Sequence, residues 1–249
     1  MKKIYLFIAF SFFATTLLAQ SVSLSDKYSK KIGNIRFSTS TLNFGKVFTN
    51  ETKNDTIWMM NAGKESIKIK IETKEKFLKT NLSSEQLGAG EEGWLSISYN
   101  IGNRNDLGFV LDRIELNTTD KEFPSKNLNI TATIADFFVN ADDSLAPKVV
   151  LSERSFNYGT IQQGEKVSHE FLINNGGIQP LLLRKAKSTC GCIKITTFKS
   201  EIASGESTTV KIEFDSFGKE GKDTRSISLF FNDPKSPEVK VEMSGVIGK

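Results

Sequence analysis

Cysteine is scarce in this sequence, whose 249 residues contain only Cys190 and Cys192. An antibody-type bridge between two sheets joins cysteines that are far apart in sequence, so that kind of bridge is excluded. A zinc site needs about four ligands, and the chain offers no further cysteine and one histidine, His169. Packing of apolar side chains must therefore hold each folded unit together.

An excess of one charge is also lacking. Lysine and arginine number 33 against 29 aspartates and glutamates, and the two signs are interspersed along the chain. A nucleic-acid-binding protein usually carries its basic residues in a patch or stripe. We therefore expect no nucleic-acid partner.

Recognisable catalytic motifs are missing as well. The sequence has no nucleophile elbow or other framed serine, and no carboxylate is marked by spacing as a partner of His169. We interpret His169 as an ordinary strand residue. The resulting prediction is a protein that is not an enzyme, with no catalytic residue, no metal and no cofactor.

Only one long apolar run occurs, at Ile4 to Leu18. It follows the basic start Met1-Lys2-Lys3 and ends at the small residue Ala19, which is typical of a secretory signal peptide. We expect cleavage between Ala19 and Gln20. The alternative is an uncleaved anchor, but a membrane span needs roughly 20 apolar residues. The sequence predicts an exported protein without a membrane span in its mature chain.

Apolar residues alternate with polar ones through most of the remaining chain. Ile67, Ile69 and Ile71 alternate with lysines, and Val210, Ile212 and Phe214 alternate in the same way. This period of two is typical of strands with one buried face. Short strands separated by glycine turns predict an all-β protein built from antiparallel sandwiches.

The strand and turn signals occur twice. Leu42-Asn43-Phe44-Gly45-Lys46-Val47 corresponds to Phe156-Asn157-Tyr158-Gly159-Thr160-Ile161, and Asn61-Ala62-Gly63 lies at the same spacing from Asn175-Gly176-Gly177. Two later pairs, Gly90-Glu91 with Gly205-Glu206 and Asn117 with Asn232, lie one residue further apart. We interpret this drift as a loop insertion between duplicated copies.

Composition divides the chain into five parts. After the signal peptide (1–19), residues 20–36 are rich in lysine and serine and are predicted to be a polar spacer or a loosely held arm. The first sandwich is predicted over residues 37–136 and the second over 149–247. Between them, residues 137–148 include poor strand formers and Pro147, which is typical of a linker.

The second copy resembles a known family over about residues 150–247. The residues that carry the resemblance include Phe156, Gly159, Ile161, Gly164-Glu165, Phe171, Asn174, Cys190-Gly191-Cys192, Gly205-Glu206, Phe214-Asp215, Asn232-Asp233 and Gly245-Val246. This frame is similar to the bacterial family called domain of unknown function 1573. The resemblance implies an immunoglobulin-like sandwich of the major-sperm-protein type in an exported protein, and it implies no activity. In the first copy, Lys76 and Leu78 fall where the constant spacing places Cys190 and Cys192.

The Cys190-Gly191-Cys192 motif is the one chemically unusual stretch, and three interpretations stay open. Because the compartment is predicted to be oxidising, the two thiols could form a local disulfide. Its small loop gives little entropic stabilisation, and a strained, easily reduced bond suits a redox role. Two thiolates could instead hold Cu(I). The third interpretation is a turn motif without turnover.

These observations predict an exported, non-enzymatic interaction or structural protein with two tandem immunoglobulin-like β-sandwiches. We expect it in the periplasm or at the cell surface, with an unidentified protein partner in the cell envelope. The first alternative is a thiol redox or Cu(I)-handling protein that uses Cys190 and Cys192. The second is a periplasmic chaperone that binds client strands at an exposed sheet edge.

Overall fold

The computed structural model of the protein describes residues 27–73, 75–138, 144–197 and 199–249. Strands dominate, and the short helix α1 (Ile101–Arg104) follows the eighth of them. In the first half the strands are β1 (Lys30–Ile32), β2 (Ile35–Phe37), β3 (Thr41–Phe48), β4 (Thr52–Asn61), β5 (Ile67–Glu72), β6 (Leu78–Leu82), β7 (Gln86–Leu87), β8 (Glu92–Asn100), β9 (Gly108–Thr118) and β10 (Ser125–Ala135). In the second half they are β11 (Val149–Leu151), β12 (Ser155–Gln162), β13 (Lys166–Asn175), β14 (Leu181–Ser188), β15 (Ile193–Thr197), β16 (Glu201–Ile202), β17 (Ser207–Asp215), β18 (Gly221–Phe231) and β19 (Glu238–Gly248).

Each half forms two sheets that enclose a core, and we call the halves the first module (β1–β10) and the second module (β11–β19). The sheets of the first module have the orders β1-β2-β4-β8-β6 and β3-β10-β9-β5-β7. Those of the second module are β11-β13-β17-β15 and β12-β19-β18-β14-β16. The orders agree strand for strand once β1 is set aside. The prediction of an all-β chain with two immunoglobulin-like sandwiches is confirmed.

One strand pair in each module departs from the predicted antiparallel pattern. β3 runs parallel to β10, and β12 runs parallel to β19. Residues 38–40 connect β2 to β3, residues 152–154 connect β11 to β12, and in both places the chain passes to the other sheet. The strand that follows pairs in parallel with the last strand of its module.

The apolar side chains that alternate along the strands form one buried core in each module. Ile67 and Ile69 are buried while Lys68 between them is exposed, and Val210 and Ile212 are fully buried in the second module. The buried clusters of the two modules consist of separate residues with one exception. Phe230 of β18 belongs to the cluster of the first module.

Two buried asparagines explain why the Asn-x-Gly signals are repeated. The side chain of Asn61 donates from Nδ2 to two carbonyls and accepts a hydrogen bond from the Gly63 N–H. Asn175 and Gly177 repeat all three bonds. The four accepting carbonyls are those of Glu65, Leu87, Gln179 and Ile202. A buried amide satisfied in this way fixes the turn in each module.

The prediction of a polar spacer over residues 20–36 is wrong for its last part. Tyr28 and Ile35 are fully buried, β1 pairs with β2, and β2 pairs with β4. The alternation around Ile35 is three residues long and lies next to lysine-rich sequence, so it is too short to indicate a strand by itself.

Other predicted segments lie outside the described residues. The signal peptide (1–19), with Ala19 and Gln20 at its cleavage site, is among them. Residues 139–143 of the predicted linker (137–148) are outside as well. β1 and β2 place the start of the first module before the predicted residue 37, and the other predicted limits, 136 and 149–247, stay predictions.

The second module has one extra residue, and it lies in a strand. The predicted loop insertion is therefore wrong. β14 shifts register against β18 between Leu183 and Lys185, so Arg184 forms a β-bulge. No such shift occurs where β5 pairs with β9.

The bulge changes which residues correspond in the next turn. The N–H of Leu78 donates to the Glu75 carbonyl, and the N–H of Ile193 donates to the Cys190 carbonyl. Glu75 therefore corresponds to Cys190, and Phe77 corresponds to Cys192. The predicted assignment of Lys76 and Leu78 to these positions is wrong.

A longer turn before β9 is the second difference between the modules. Residues 101–107, which include α1, separate β8 from β9, whereas the shorter segment 216–220 separates β17 from β18. Hydrogen bonds from Thr118 N–H to Pro124 and from Phe231 N–H to Pro237 show that these two strand residues correspond. Asn117 therefore corresponds to Phe230, and the predicted match of Asn117 with Asn232 is wrong.

A buried ion pair lies in the first module. Lys126 and Asp120 have fully buried side chains, with Lys126 Nζ 2.7 Å from Asp120 Oδ2. The N–H and the side-chain amide of Asn34 also donate to Asp120. Burial would raise the pKa of Asp120, but these hydrogen bonds outweigh it and lower the pKa to about 2.

Candidate functional site at the joint between the modules

Cys190 and Cys192 form a disulfide in the turn between β14 and β15, with their Cα atoms 5.1 Å apart. Cys192 packs against the core of the second module. Both sulfur atoms are bonded to each other, so neither is a thiolate that could bind Cu(I) in this state. Of the sequence interpretations, the structure therefore shows the local disulfide.

His169 lies between aromatic rings of the second module. Its ring stacks on Phe156 at 3.9 Å between centroids, and Phe171 meets it edge to face. Nε2 lies 2.7 Å from Glu153 Oε1. These contacts agree with a packed strand residue, and spacing in the sequence gave no sign of Glu153 as its partner.

The joint between the modules centres on Phe230. Phe230 and Phe231 are adjacent on β18 and both buried, but Phe231 enters the core of the second module and Phe230 that of the first. Gly108, at the start of β9, has φ +76°, and a Cβ there would lie 2.6 Å from Cζ of Phe230. Burying a phenylalanine contributes roughly 1.5–3 kcal/mol, so this contact is a substantial part of the joint.

Charged groups surround the Phe230 contact. Asp106, in the longer turn of the first module, forms ion pairs with Lys185 and Lys187 of β14. Lys187 Nζ also donates to the Leu107 carbonyl at 2.6 Å. Within the first module, Arg104 Nη1 lies 3.0 Å from Asp106 Oδ2 and holds the carboxylate in place.

The two lysines control the charge of Asp106. Partial burial would raise the pKa of this carboxyl group, but hydrogen bonds from Lys185, Lys187 and the Leu107 N–H outweigh burial. The pKa of Asp106 falls to about 2. The carboxylate is therefore charged at neutral pH and attracts the lysines of the other module.

The joint uses the residues at which the two copies differ. The bulge residue Arg184 pairs with Asp136 of the first module, with 3.2 Å between Nε and Oδ2. Asp106 lies in the turn that is longer in the first module. Phe230 takes the place that Asn117 occupies in the first module. The differences between the copies thus supply the contacts between them.

A groove of about 610 Å³ runs along the joint. The first module contributes Phe109 and Thr133 to its walls. The second module contributes lysines and hydroxyl side chains, among them Lys187, Ser226, Ser228 and Lys240. The groove therefore has one exposed aromatic ring among polar groups, which suits binding through both apolar contact and hydrogen bonds.

Two large apolar side chains are exposed beside the groove. Phe109 and Leu111 lie on the same face of β9 and are 65% and 52% exposed. Their cross-strand neighbours on β10 are Thr133 and Thr131. We call these four residues the β9 patch. An apolar pair rimmed by hydroxyls is typical of an interaction surface.

Two other features are absent from the part of the chain that the structure describes. Within it, no group of three or more histidine, cysteine, aspartate or glutamate side chains could hold a metal ion. No helix there has the length and apolar character needed to cross a membrane.

The second module matches a known family. The family described as "Protein of unknown function (DUF1573)" matches residues 149–247. A different family, the HYDIN/CFA65/VesB-like Ig-like domain, matches residues 33–133 of the first module.

Comparisons with whole proteins support the fold. No curated protein matches the chain in sequence. A protein of unknown function from Porphyromonas gingivalis W83 is similar in structure, with a TM-score of 0.62 and 20% identity over 86% of this chain and 100% of that chain. This similarity shows the fold alone.

Two further structures are more distant. The ASH/PapD-like domain 7 of human CEP192 has a TM-score of 0.37 and 15% identity, covering 43% of this chain and 89% of its own. Vibrio cholerae VesB protease has a TM-score of 0.33 and 10% identity, covering 65% of this chain and 59% of its own. Neither supports an argument about function.

The close approach of Gly108 to Phe230 makes a first prediction. Gly221 of the second module occupies the corresponding strand position with φ +78°, and no described atom lies within 4 Å of a Cβ placed there. Gly221→Ala should cost about 1–2 kcal/mol for the left-handed backbone. Gly108→Ala should cost about 1–3 kcal/mol more, because the methyl group must displace Phe230. Equal losses in denaturant unfolding of the two variants would show that Phe230 does not press on Gly108.

The charge of Asp106 makes a second prediction. Its pKa is about 2 in the folded protein, below the ordinary value of 3.8, so its stabilising effect is present above about pH 4. The effect is lost as pH falls towards 2. Thermal unfolding of the native protein and of Asp106→Asn should therefore differ at pH 5 and converge at about pH 2. A difference that does not depend on pH would contradict the ion pairs with Lys185 and Lys187.

Proposed function

We propose that this protein is an exported, non-enzymatic interaction protein of the bacterial cell envelope that holds a protein partner on the β9 patch and the adjoining groove. The observation that carries the proposal is the pair Phe109 and Leu111, exposed side by side on β9. Water-facing sheets usually present polar side chains, so an apolar pair of this size favours a covering partner.

The joint supports a binding role for both modules together. Phe230 and the Asp106 ion pairs connect the outer face of β9 to that of β18, so the groove and the β9 patch adjoin. A rigid surface loses less freedom on binding than two independent modules would. Ser226 and Ser228 line the groove and can offer hydrogen bonds to a polypeptide at the rim of the patch.

The export part of the proposal depends on the N-terminal sequence. Its basic start, apolar run and small residue at Ala19 favour secretion across the inner membrane. We place the mature protein in the periplasm or at the cell surface. The partner is then a protein of the same compartment.

A photo-crosslinking experiment tests the binding surface and is a third prediction. A photoreactive amino acid would replace Leu111 in one variant and Lys79, an exposed residue of β6 in the other sheet, in a matched control. In intact cells of the source bacterium, the Leu111 position should give a discrete protein adduct that the Lys79 position does not give. The adduct should disappear when Phe109→Ser is added, because the patch loses its aromatic ring.

Stability measurements keep that test interpretable. Phe109 is mostly exposed, so Phe109→Ser should leave thermal unfolding nearly unchanged, within about 0.5 kcal/mol. Identical adducts from Leu111 and Lys79, or none from either, would contradict binding at the β9 patch. Retention of the uncleaved chain in the cytoplasm would separately contradict export.

A further inference from the structure

The disulfide between Cys190 and Cys192 is not required by the turn that contains it. The corresponding turn of the first module has Glu75 and Phe77 in the two positions. It makes the same backbone bonds, from Leu78 N–H to Glu75 and from Asn100 N–H to Phe77. In the second module these bonds run from Ile193 and Asp215 to the two cysteines. The fold thus builds this turn without a disulfide in one copy and with it in the other.

The disulfide also crosslinks very little of the chain. One residue separates Cys190 from Cys192, and the bond connects no two sheets. Stabilisation by a disulfide grows with the length of the loop that it closes, because the bond restricts the unfolded chain. A loop of this length gives the bond little structural value.

The two sulfur atoms have different surroundings. Thr189 and Gly191, on either side of Cys190, are both exposed. Apart from chain neighbours, no described atom lies within 4 Å of a Cβ placed on Gly191. Both cysteines are half-buried, but Cys192 packs against the core of the second module. A reagent in solution therefore meets the bond from the Cys190 side.

A backbone donor is already directed at the sulfur of Cys190. The N–H of Cys192 lies 3.1 Å from Cys190 Sγ in hydrogen-bonding geometry, and the Cys190 N–H is held by Ser188 Oγ at 3.2 Å. A hydrogen bond to sulfur stabilises the charged thiolate more than the neutral thiol. Once the disulfide is open, Cys190 is therefore the better placed of the two to be a thiolate, and so to leave from a mixed disulfide with the donor.

We propose that Cys190 and Cys192 form a thiol–disulfide exchange site that accepts two electrons from a dithiol, with Cys190 carrying the mixed disulfide. This activity goes beyond the proposed binding function and does not depend on it. The electron donor is a dithiol, either a small molecule or a pair of cysteines in a protein. Ser188 and Thr189 line the groove beside the β9 patch, so a bound polypeptide would lie close to Cys190.

The exchange consists of two steps, in which atoms and electrons balance. A donor thiolate attacks Cys190 Sγ, the Cys190–Cys192 bond breaks, and Cys192 leaves as a thiolate that takes up a proton. The second donor thiolate then attacks the donor sulfur in the mixed disulfide and expels Cys190 as a thiolate, which the Cys192 N–H stabilises and which is then protonated. The donor dithiol becomes a disulfide, and the protein disulfide becomes two thiols.

Titration with glutathione tests the site and is a fourth prediction. The purified protein would be equilibrated in buffers from fully oxidised to fully reduced glutathione, quenched with acid and analysed by mass spectrometry. We expect the Cys190–Cys192 bond to pass from oxidised to reduced within this range. Thermal unfolding of the reduced protein should stay close to that of the oxidised protein, because the first module folds the same turn without the bond.

Single-cysteine variants assign the roles. In the Cys192→Ser variant, the remaining Cys190 should form a mixed disulfide with glutathione. It should also react with iodoacetamide at neutral pH about tenfold faster than Cys192 reacts in the Cys190→Ser variant. Equal rates, or faster reaction of Cys192, would overturn the assignment to Cys190. A bond that resists fully reduced glutathione, or reduction that unfolds the second module, would show a structural disulfide and overturn the proposal. None of these outcomes depends on the β9 patch, so the proposed binding function is tested separately.

Discussion

The packing of Phe230 against Gly108 determines how this protein presents its surface. A buried aromatic ring contributes roughly 1.5–3 kcal/mol, and it carries no desolvation cost of the kind that offsets partly buried ion pairs. The ring fits because position 108 is a glycine, whose missing Cβ leaves room for it. The ion pairs of Asp106 with Lys185 and Lys187 then fix the orientation around this contact. Without the Phe230 contact, the two sandwiches would be connected mainly by these partly buried ion pairs.

The features that the two modules share and the features in which they differ have separate roles in this chain. The buried amides of Asn61 and Asn175 and the strand orders are the same in both modules, because each sandwich has to close its own core. The bulge at Arg184 and the longer turn with Asp106 occur in one module each, and both contribute to the joint. The β9 patch lies beside this joint. The proposed binding surface therefore adjoins the residues that differ between the modules.

Much of the fold was predictable from the sequence, because alternation and turn residues act locally. The period of two around Ile67 and Val210 and the Asn-x-Gly turns indicated the strands and their duplication. The bulge at Arg184 was not predictable, since a bulge is a property of pairing with β18, which the sequence of β14 does not contain. Phe230 and Phe231 show the same limit: two adjacent apolar residues do not tell which of two cores receives each ring. The cysteine pair was recognised as a possible disulfide, whereas the Cys192 N–H directed at Cys190 is a feature of the folded turn.

A distance measurement between the modules tests the central claim most directly. Nitroxide labels on cysteines introduced at Lys79 of β6 and Lys194 of β15, both exposed, would report the separation of the modules in a Cys190→Ser, Cys192→Ser background. We predict one narrow distance distribution, which Phe230→Asn should broaden because asparagine is the residue at the corresponding position of the first module, Asn117. A broad distribution in the parent protein, or one that Phe230→Asn leaves unchanged, would contradict a joint held by Phe230.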